Sequence, residues 1–310
     1  MSRLTIVTYH YVRDLAASPF PRLAALDAAQ FERQLDHIFG HYAVVGLPQV
    51  MAAISGVAAL PEDACLLTFD DGYRDHATVA APALARRGMT GTFYPAAAAV
   101  AERRLLDVNK IQFVLAVCAD RAALRQELDR LIEEHRDETT PSLAELEANW
   151  HYPGRWDDAD TVYVKRVLQQ GLQPGLRDML SKLLFRRHVS ADEMAFADSL
   201  YLDTADMAAM MDAGMTFGSH GTRHQRLPLL DDETLEDDLT RALDFLLDAG
   251  VNCASGWSLC YPHGAQDARV RETARRLGCT MAVTTAPGVA DLNTDDPLAL
   301  PRRDTNELPQ

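Results

Sequence analysis

The chain has 310 residues, enough for one large domain or one domain with an insertion, and its 47% hydrophobic content allows a sizeable core. Asp and Glu number 45 against 30 Lys and Arg, a formal net charge of −15. Such an acidic surface repels phosphate backbones and argues against a nucleic-acid partner, and no apolar stretch is long enough to span a bilayer.

Strand-like and helix-like patterns alternate from the start. Leu4 to Tyr9 reads as a first strand rather than a secretory signal, because it lacks an apolar core and a small-residue cleavage site. An amphipathic helix is expected over Ala28–Phe39, with Phe31, Leu35, Ile38 and Phe39 on one side. A short strand (Tyr42–Val45) and a short helix (Leu47–Ile54) follow. Cys65–Phe69 reads as a buried strand, Ala77–Arg87 as a helix ended by Gly88, and Thr90–Tyr94 as the next strand.

The alternation then stops. From about Glu102 to Leu202 the pattern is helical, with helices expected at Ala122–His135, Thr161–Gln170 and Leu176–Arg187. A turn-rich stretch, Asp137–Asp160, holds Pro141, Pro153 and Gly154. The expected organisation is therefore a barrel or open sheet built from residues 1–101 and 203–310, interrupted by a helical insertion at 102–202. The insertion leaves the sheet at the C-terminal edge of a strand, so it is expected to overhang the site. Its stripe of Leu124, Leu128, Leu131 and Ile132 needs a partner surface: its own helices, the barrel, or a second copy of the chain. Asn109, Lys110, Trp150 and Trp156 suit sugar or phosphate contacts.

After the insertion come a helix at Thr204–Asp212, a strand at Met215–Ser219, and a long helix at Asp231–Ala249 with Leu235, Leu239, Leu243 and Leu246 on one stripe. A strand at Ser255–Tyr261, a helix at Ala268–Leu277, a strand at Thr280–Thr284 and a last edge strand at Leu298–Pro301 complete the chain. Repeated βα units imply a parallel sheet with its chemistry at the C-terminal strand ends. The five cysteines (Cys65, Cys118, Cys253, Cys260, Cys279) are scattered and lack C-x-x-C spacing, the pattern of unpaired thiols in a reducing compartment. The cytoplasm is the expected location.

Three runs at strand ends carry the chemistry. In Thr68-Phe69-Asp70-Asp71-Gly72, two adjacent carboxylates stand where a strand stops, so one can bind a metal while the other acts as a base. Ser219-His220-Gly221-Thr222-Arg223-His224 adds two imidazoles four residues apart. Two histidines and one carboxylate suit a catalytic Zn²⁺ or a related divalent ion. Ser258-Leu259-Cys260-Tyr261-Pro262-His263-Gly264 is a strand running into a turn, read either as a plain connection or as a groove wall beside the metal. A 2-His-1-carboxylate iron oxygenase and a non-catalytic binding protein are the alternatives.

Together the runs resemble the first three signature motifs of NodB-type polysaccharide deacetylases, carbohydrate esterase family four, over about Leu4–Ala97 and Thr204–Arg303. The resemblance implies an irregular (β/α) barrel of the polysaccharide deacetylase type, one divalent metal (usually zinc) and hydrolysis of N-acetyl groups on amino sugars; the residues themselves leave acetyl and formyl both open. It implies Asp70 as base, Asp71, His220 and His224 as metal ligands, and Tyr261 as the residue whose backbone N–H helps hold the oxyanion. The arginine that often opens the third motif is replaced by Leu259 or Cys260, with Arg302 or Arg303 as substitutes. The late Leu-x-His motif is missing. Instead, Tyr9-His10-Tyr11 resembles the early Tyr-His motif of the circularly permuted poly-N-acetylglucosamine deacetylases, which makes His10 the expected general acid and His263 its rival. Tyr9, Pro262, His263 and Arg302 are the expected substrate contacts. The expected setting is envelope polysaccharide assembly on a free, nucleotide- or lipid-linked, or oligomeric sugar.

Overall fold

The computed structural model describes residues 3–155 and 157–309; Trp156, an expected sugar contact, lies outside them. The chain forms two compact units, one of residues 1–14, 25–104 and 197–310, the other of residues 15–24 and 105–196. The short segment 15–24 thus belongs with the helical unit, a long-range association that no local pattern announces.

The first unit holds eleven strands in chain order among the described residues: β1 (Arg3–Tyr9), β2 (Val12–Arg13), β3 (Leu26–Asp27), β4 (Ala43–Val44), β5 (Ala64–Asp71), β6 (Thr92–Pro95), β7 (Thr216–Phe217), β8 (Trp257–Cys260), β9 (Cys279–Pro287), β10 (Ala290–Asp291) and β11 (Leu300–Asp304). Seven of them run parallel in the order β7-β6-β5-β1-β11-β9-β8. A parallel bridge between Ser219, just past β7, and Leu259 of β8 joins the two ends of this row. There the Ser219 N–H donates to the Ser258 carbonyl and the Ser219 carbonyl accepts from the Cys260 N–H, both at 2.8 Å. The product is the expected irregular (β/α) barrel.

Strand alternation sorts the side chains. Leu4, Ile6, Leu66, Tyr94, Cys260, Val283 and Leu300 form one buried cluster. Their alternates Val7, Tyr9, Cys65, Leu67, Phe69 and Phe93 face the other way, into a cluster with Phe31, Leu35 and Ile38 of helix Ala28–His41 and with Leu84, Met207, Met210 and Leu246. Leu259, Tyr261 and Ala282 pack outward with Leu235, Leu239, Val270 and Ala274. Further along β1, β5 and β11 the first face turns polar, with Thr8, Thr68, Asp70 and Arg302, all buried.

Closure needs backbones to approach closely, and Gly218 permits it. A Cβ there would lie 2.4 Å from a ring carbon of Tyr94 and 2.7 Å from the Ser258 carbonyl oxygen. β7 itself is only two residues long instead of spanning Met215–Ser219.

Other expectations need correction. The last strand, Leu300–Asp304, is no edge: it lies between β1 and β9, and Pro301 is accommodated because the pairing with β9 shifts register between Leu300 and Arg302. Phe39 is 65% exposed, and the buried face of its helix uses Gln34 instead, whose amide donates to the Thr305 carbonyl. The expected helix at Ala77–Arg87 is a π turn, His76–Ala80, followed by an α-helix, Ala81–Arg86. Pro82 has no N–H to offer the preceding turn, and the Ala81 N–H reaches back to the His76 carbonyl.

In the helical unit, helix Arg121–His135 buries Leu124, Leu128, Leu131 and Ile132 and packs against helices Ala159–Arg166 and Pro174–His188, so the stripe is covered within the unit. Helix Leu143–Trp150 lies inside the stretch read as turns; its signal is the capping box Ser142–Glu145. Asn109 and Lys110 are buried rather than available to a ligand. Asn109 donates to Gln112, and the Lys110 ammonium lies 2.9 Å from Asp107 and 3.4 Å from Glu193. No described helix is long and apolar enough to cross a membrane.

Gly218→Ala is expected to destabilise the barrel by about 1–3 kcal/mol, the usual range for overpacking a filled site. A lowered urea midpoint at unchanged slope is the expected result; an unchanged midpoint removes Gly218 from the closure.

Candidate active site

At the C-terminal end of β5 the two carboxylates part. Asp70 keeps the parity of Thr68 and meets Arg302 from β11. Arg302 Nη1 donates to Asp70 Oδ1 at 2.8 Å and Nη2 to Oδ2 at 2.7 Å, a bidentate pair buried on both sides. The guanidinium is held in turn by the Thr284 carbonyl (2.8 Å) and Thr68 Oγ1 (3.1 Å), and its Nη2 lies 3.3 Å from the Cys260 sulfur. Burial pushes the Asp70 pKa up, but the charge and hydrogen bonds of Arg302 outweigh it and hold the carboxyl well below the usual range.

Asp71 leaves the strand in a left-handed conformation, φ 73°, followed by Gly72 at φ 74°. A side chain on Gly72 would collide with Pro95, 2.6 Å away, so the turn needs glycine twice over. Through this turn Asp71 Oδ2 accepts from the Tyr73 hydroxyl. Its Oδ1, fully buried, makes no hydrogen bond, yet Nε2 of His220 and Nε2 of His224 each lie 3.3 Å from it. His220 Nδ1–H donates to the Cys260 carbonyl at 2.6 Å, which turns Nε2 towards Asp71; burial lowers the His220 pKa, but Cys260 and Asp71 outweigh that and raise it well above the usual value. Burial lowers the His224 pKa, favouring the neutral imidazole that ligates metals.

An orphaned carboxylate oxygen facing two imidazole nitrogens, one of them on a ring held in place through its other nitrogen, fits a divalent cation. The ligand atoms of Asp71, His220 and His224 lie within 4.8 Å of one another. Asp70, His220 and Cys260 form a second such group, but it suits a cation poorly. Arg302 occupies both Asp70 oxygens, and burial raises the Cys260 pKa and keeps the thiol protonated.

His10, at the end of β1, places Nε2 3.7 Å from Asp70 Oδ2 with its side chain 49% exposed, open to a substrate. Beneath it lies His76, fully buried on the π turn, whose Nε2–H donates to the His10 carbonyl at 2.9 Å. Burial lowers His76 to about 4, so it stays neutral. His263 stacks edge-on against His224 with ring centroids 4.6 Å apart. Burial first, then the neighbouring His224 and Arg226, lower its pKa to about 2.

Four expected site residues have other roles. The Tyr9 ring is buried on the outward face between Phe31 and Phe69 and cannot touch substrate, because alternation sends Thr8, not Tyr9, towards Asp70. Tyr261 likewise points outward, its hydroxyl donating to the Leu298 carbonyl. Its backbone N–H donates to the Val283 carbonyl at 3.2 Å within the β8–β9 ladder and is not available to an oxyanion. Pro262 is buried behind Gly221. Arg302, and not Arg303, is the arginine that meets Asp70, and both ends of its fork are committed there. Sequence reading missed His76 and Tyr73; the tyrosine beside the paired carboxylates was the only signal for either.

Arg302→Met strips a buried carboxylate of its partner, a change that typically costs about 3–5 kcal/mol. With Asp70 depressed in the native fold, the wild type holds this stabilisation above the unfolded carboxylate pKa of about 3.9 and loses it as pH falls through the folded value. In the variant Asp70 rises instead and penalises folding only above about 3.9. The stability gap should therefore be widest at neutral pH and close in acid, as measured by urea denaturation across pH. A gap independent of pH contradicts the pairing.

The fold has counterparts among solved structures. The Streptococcus pyogenes deacetylase PplD, solved with acetate, shares 18% identity with a TM-score of 0.58, over 99% of this chain and 93% of that one. IcaB from Ammonifex degensii shares 16% with a TM-score of 0.57, over 98% and 92%. The BpsB deacetylase domain from Bordetella bronchiseptica shares 14% with a TM-score of 0.53, over 98% and 96%. No curated protein sequence matches the chain. Residues 184–282, which include His220, His224 and the third motif, match the polysaccharide deacetylase family model. That match over residues 184–282 and the fold shared with these deacetylases agree with the resemblance the motifs carry.

Proposed function

We propose that the chain is a metal-dependent hydrolase that removes an N-acyl group, acetyl foremost, from an amino sugar in the assembly of a cell-envelope polysaccharide. The observation that carries this reading is the division between neighbours: Asp70 clamped by Arg302, Asp71 turned towards two imidazoles. That the Streptococcus pyogenes neighbour is a deacetylase solved with acetate supports acetyl over formyl. Five unpaired cysteines support a reducing compartment, the cytoplasm.

Asp71, His220 and His224 would hold the cation, with zinc the ion best suited to this ligand set. When bound, the ion supplies Lewis acidity, polarising the acyl carbonyl and acidifying a water. Asp70 takes the proton from the attacking water as the O–C bond forms. Arg302 makes Asp70 a weaker base but keeps it ionised and fixes its orientation. Thr8 Oγ1, 3.4 Å from Asp70 Oδ2, steadies the same edge. His10, exposed and beside Asp70, delivers a proton to the nitrogen as the C–N bond breaks, releasing a carboxylate and the amino sugar. His263 suits the acid role less well, since at a pKa of about 2 it carries no extra proton at neutral pH. Its place against His224 makes it a substrate contact in this reading.

Acetate and formate release over a panel of free, nucleotide-linked and polymeric N-acyl amino sugars tests the reaction, with acetate the expected product. Asp71→Ala and His220→Ala should lose most bound zinc and nearly all turnover. Asp70→Asn should keep the metal and lose about 10²–10⁴-fold in kcat, the usual worth of a general base. Full zinc occupancy in Asp71→Ala, or near-normal turnover in Asp70→Asn, defeats the respective role.

The acid is tested separately. His10→Ala should also retain zinc and lose about 10²–10⁴-fold in kcat. If His263→Ala shows that loss and His10→Ala does not, the acid comes from the third motif.

A further inference from the structure

The two imidazoles of the candidate metal site sit on one short loop, and its shape is unusual. Gly221 takes φ 69° and His224, which is not glycine, takes φ 54°. These left-handed turns let residues four apart aim Nε2 at the same oxygen. A backbone so bent needs its polar groups satisfied by fixed partners. Its carbonyls are accounted for on one side: Gly221 and Thr222 accept from the N–H groups of Ala97 and Ala98, at 3.0 and 2.9 Å. The Gly221 N–H donates to Ser219 Oγ at 3.0 Å.

The next two N–H groups go to a single side chain. Thr222 N–H donates to Asp238 Oδ2 at 2.9 Å and Arg223 N–H to Asp238 Oδ1 at 3.3 Å. The Thr222 hydroxyl donates to the Asp238 backbone carbonyl at 2.6 Å. Asp238 is 5% exposed and sits on helix Asp232–Asp248, between Leu235 and Leu239 on the buried stripe. Burying a carboxylate on the apolar face of a helix is costly unless its oxygens are engaged, and here both are engaged by the segment that separates His220 from His224. A Cβ on Gly221 would come within 3.0 Å of Asp238 Oδ2, so glycine and carboxylate are fitted to each other.

We propose that Asp238 is a positioning residue of the metal site, fixing the 221–223 backbone so that His220 and His224 converge on Asp71. It touches neither metal nor substrate and acts through the loop. The inference rests on the metal-site reading given above.

The test uses the full chain and the metal alone. Zinc affinity is measured by chelator competition, and the site's geometry by the visible spectrum of the cobalt-substituted protein. Asp238→Ala should weaken zinc binding by about 10–100-fold, the range seen when groups supporting metal ligands are removed. The cobalt spectrum of the folded variant should change as well. A carboxylate that merely stabilised the fold would lower the melting temperature and leave affinity and spectrum as in the wild type, and that result overturns the proposal. Should Asp238→Ala fail to fold, Asp238→Asn keeps the shape and one acceptor, and it should lose affinity in the same direction but less. Wild-type affinity and spectrum in a folded Asp238→Asn then count against the proposal equally. If the wild-type chain binds no divalent ion, the metal-site reading itself fails, an outcome distinct from equal binding by wild type and variants.

Discussion

The buried pair between Arg302 and Asp70 is the constraint around which the barrel and its chemistry are arranged. Removing two charges from water costs several kcal/mol per ion, and only good geometry with further hydrogen bonds offsets that. The pair meets the condition: two parallel bonds join the fork to the carboxylate, the Thr284 carbonyl and Thr68 Oγ1 take further guanidinium donors, and Thr8 lies at the far carboxylate oxygen. These partners come from β1, β5, β9 and β11, so the pair can form only when the closed sheet is in register. An apolar filling of the same space would be no less stable by this reckoning. The charges make sense as the means of keeping one carboxylate ionised and immobile at the barrel mouth.

Strain gathers at the same place. Among the described residues, five that are not glycine have positive φ, and three of them, Asp71, His224 and His263, lie at the site. Asp71 shows why. Continued alternation would have sent its carboxylate outward with Phe69. The left-handed step at Asp71 and Gly72 breaks the alternation and turns Oδ1 towards the histidines. A local cost of order 1–3 kcal/mol per strained residue is sustainable only where the surroundings fix the backbone, as Tyr73 and Pro95 do on one side and the Asp238 contacts do on the other.

How much could be read beforehand followed the range of the physics involved. That Asp70, Asp71, His220 and His224 gather at one place was legible because all four stand at or just past strand ends. The core of helix Asp232–Asp248 was legible because periodicity is local. Tyr9 was misread although alternation was available: one step from Thr8, it had to face the other way. Tyr261 was misread for a reason no local pattern reveals, since whether its N–H is free depends on the register of β8 against β9. The central place of Leu300–Asp304 and the choice of Arg302 over Arg303 follow from barrel closure, which is long-range. Gln34 and Asp238 were passed over because each is a polar residue within an apolar stripe. Such residues record a bond to something beyond the helix, here the Thr305 carbonyl and the loop between the histidines.

The two adjacent aspartates finally show how identical side chains acquire different roles. A carboxylate can coordinate a cation only with a lone pair left over. Asp70 has Arg302 on both oxygens, so it has little to offer a second cation, and a metal there would also stand beside a guanidinium. Asp71 has one oxygen tied to a neutral hydroxyl and the other turned to two imidazoles with no bond of its own. The tyrosine thus leaves Asp71 one oxygen free, while the arginine engages both oxygens of Asp70 and keeps it ionised. The different surroundings of the two carboxylates are therefore set by Arg302 and Tyr73 as much as by the Asp-Asp sequence itself.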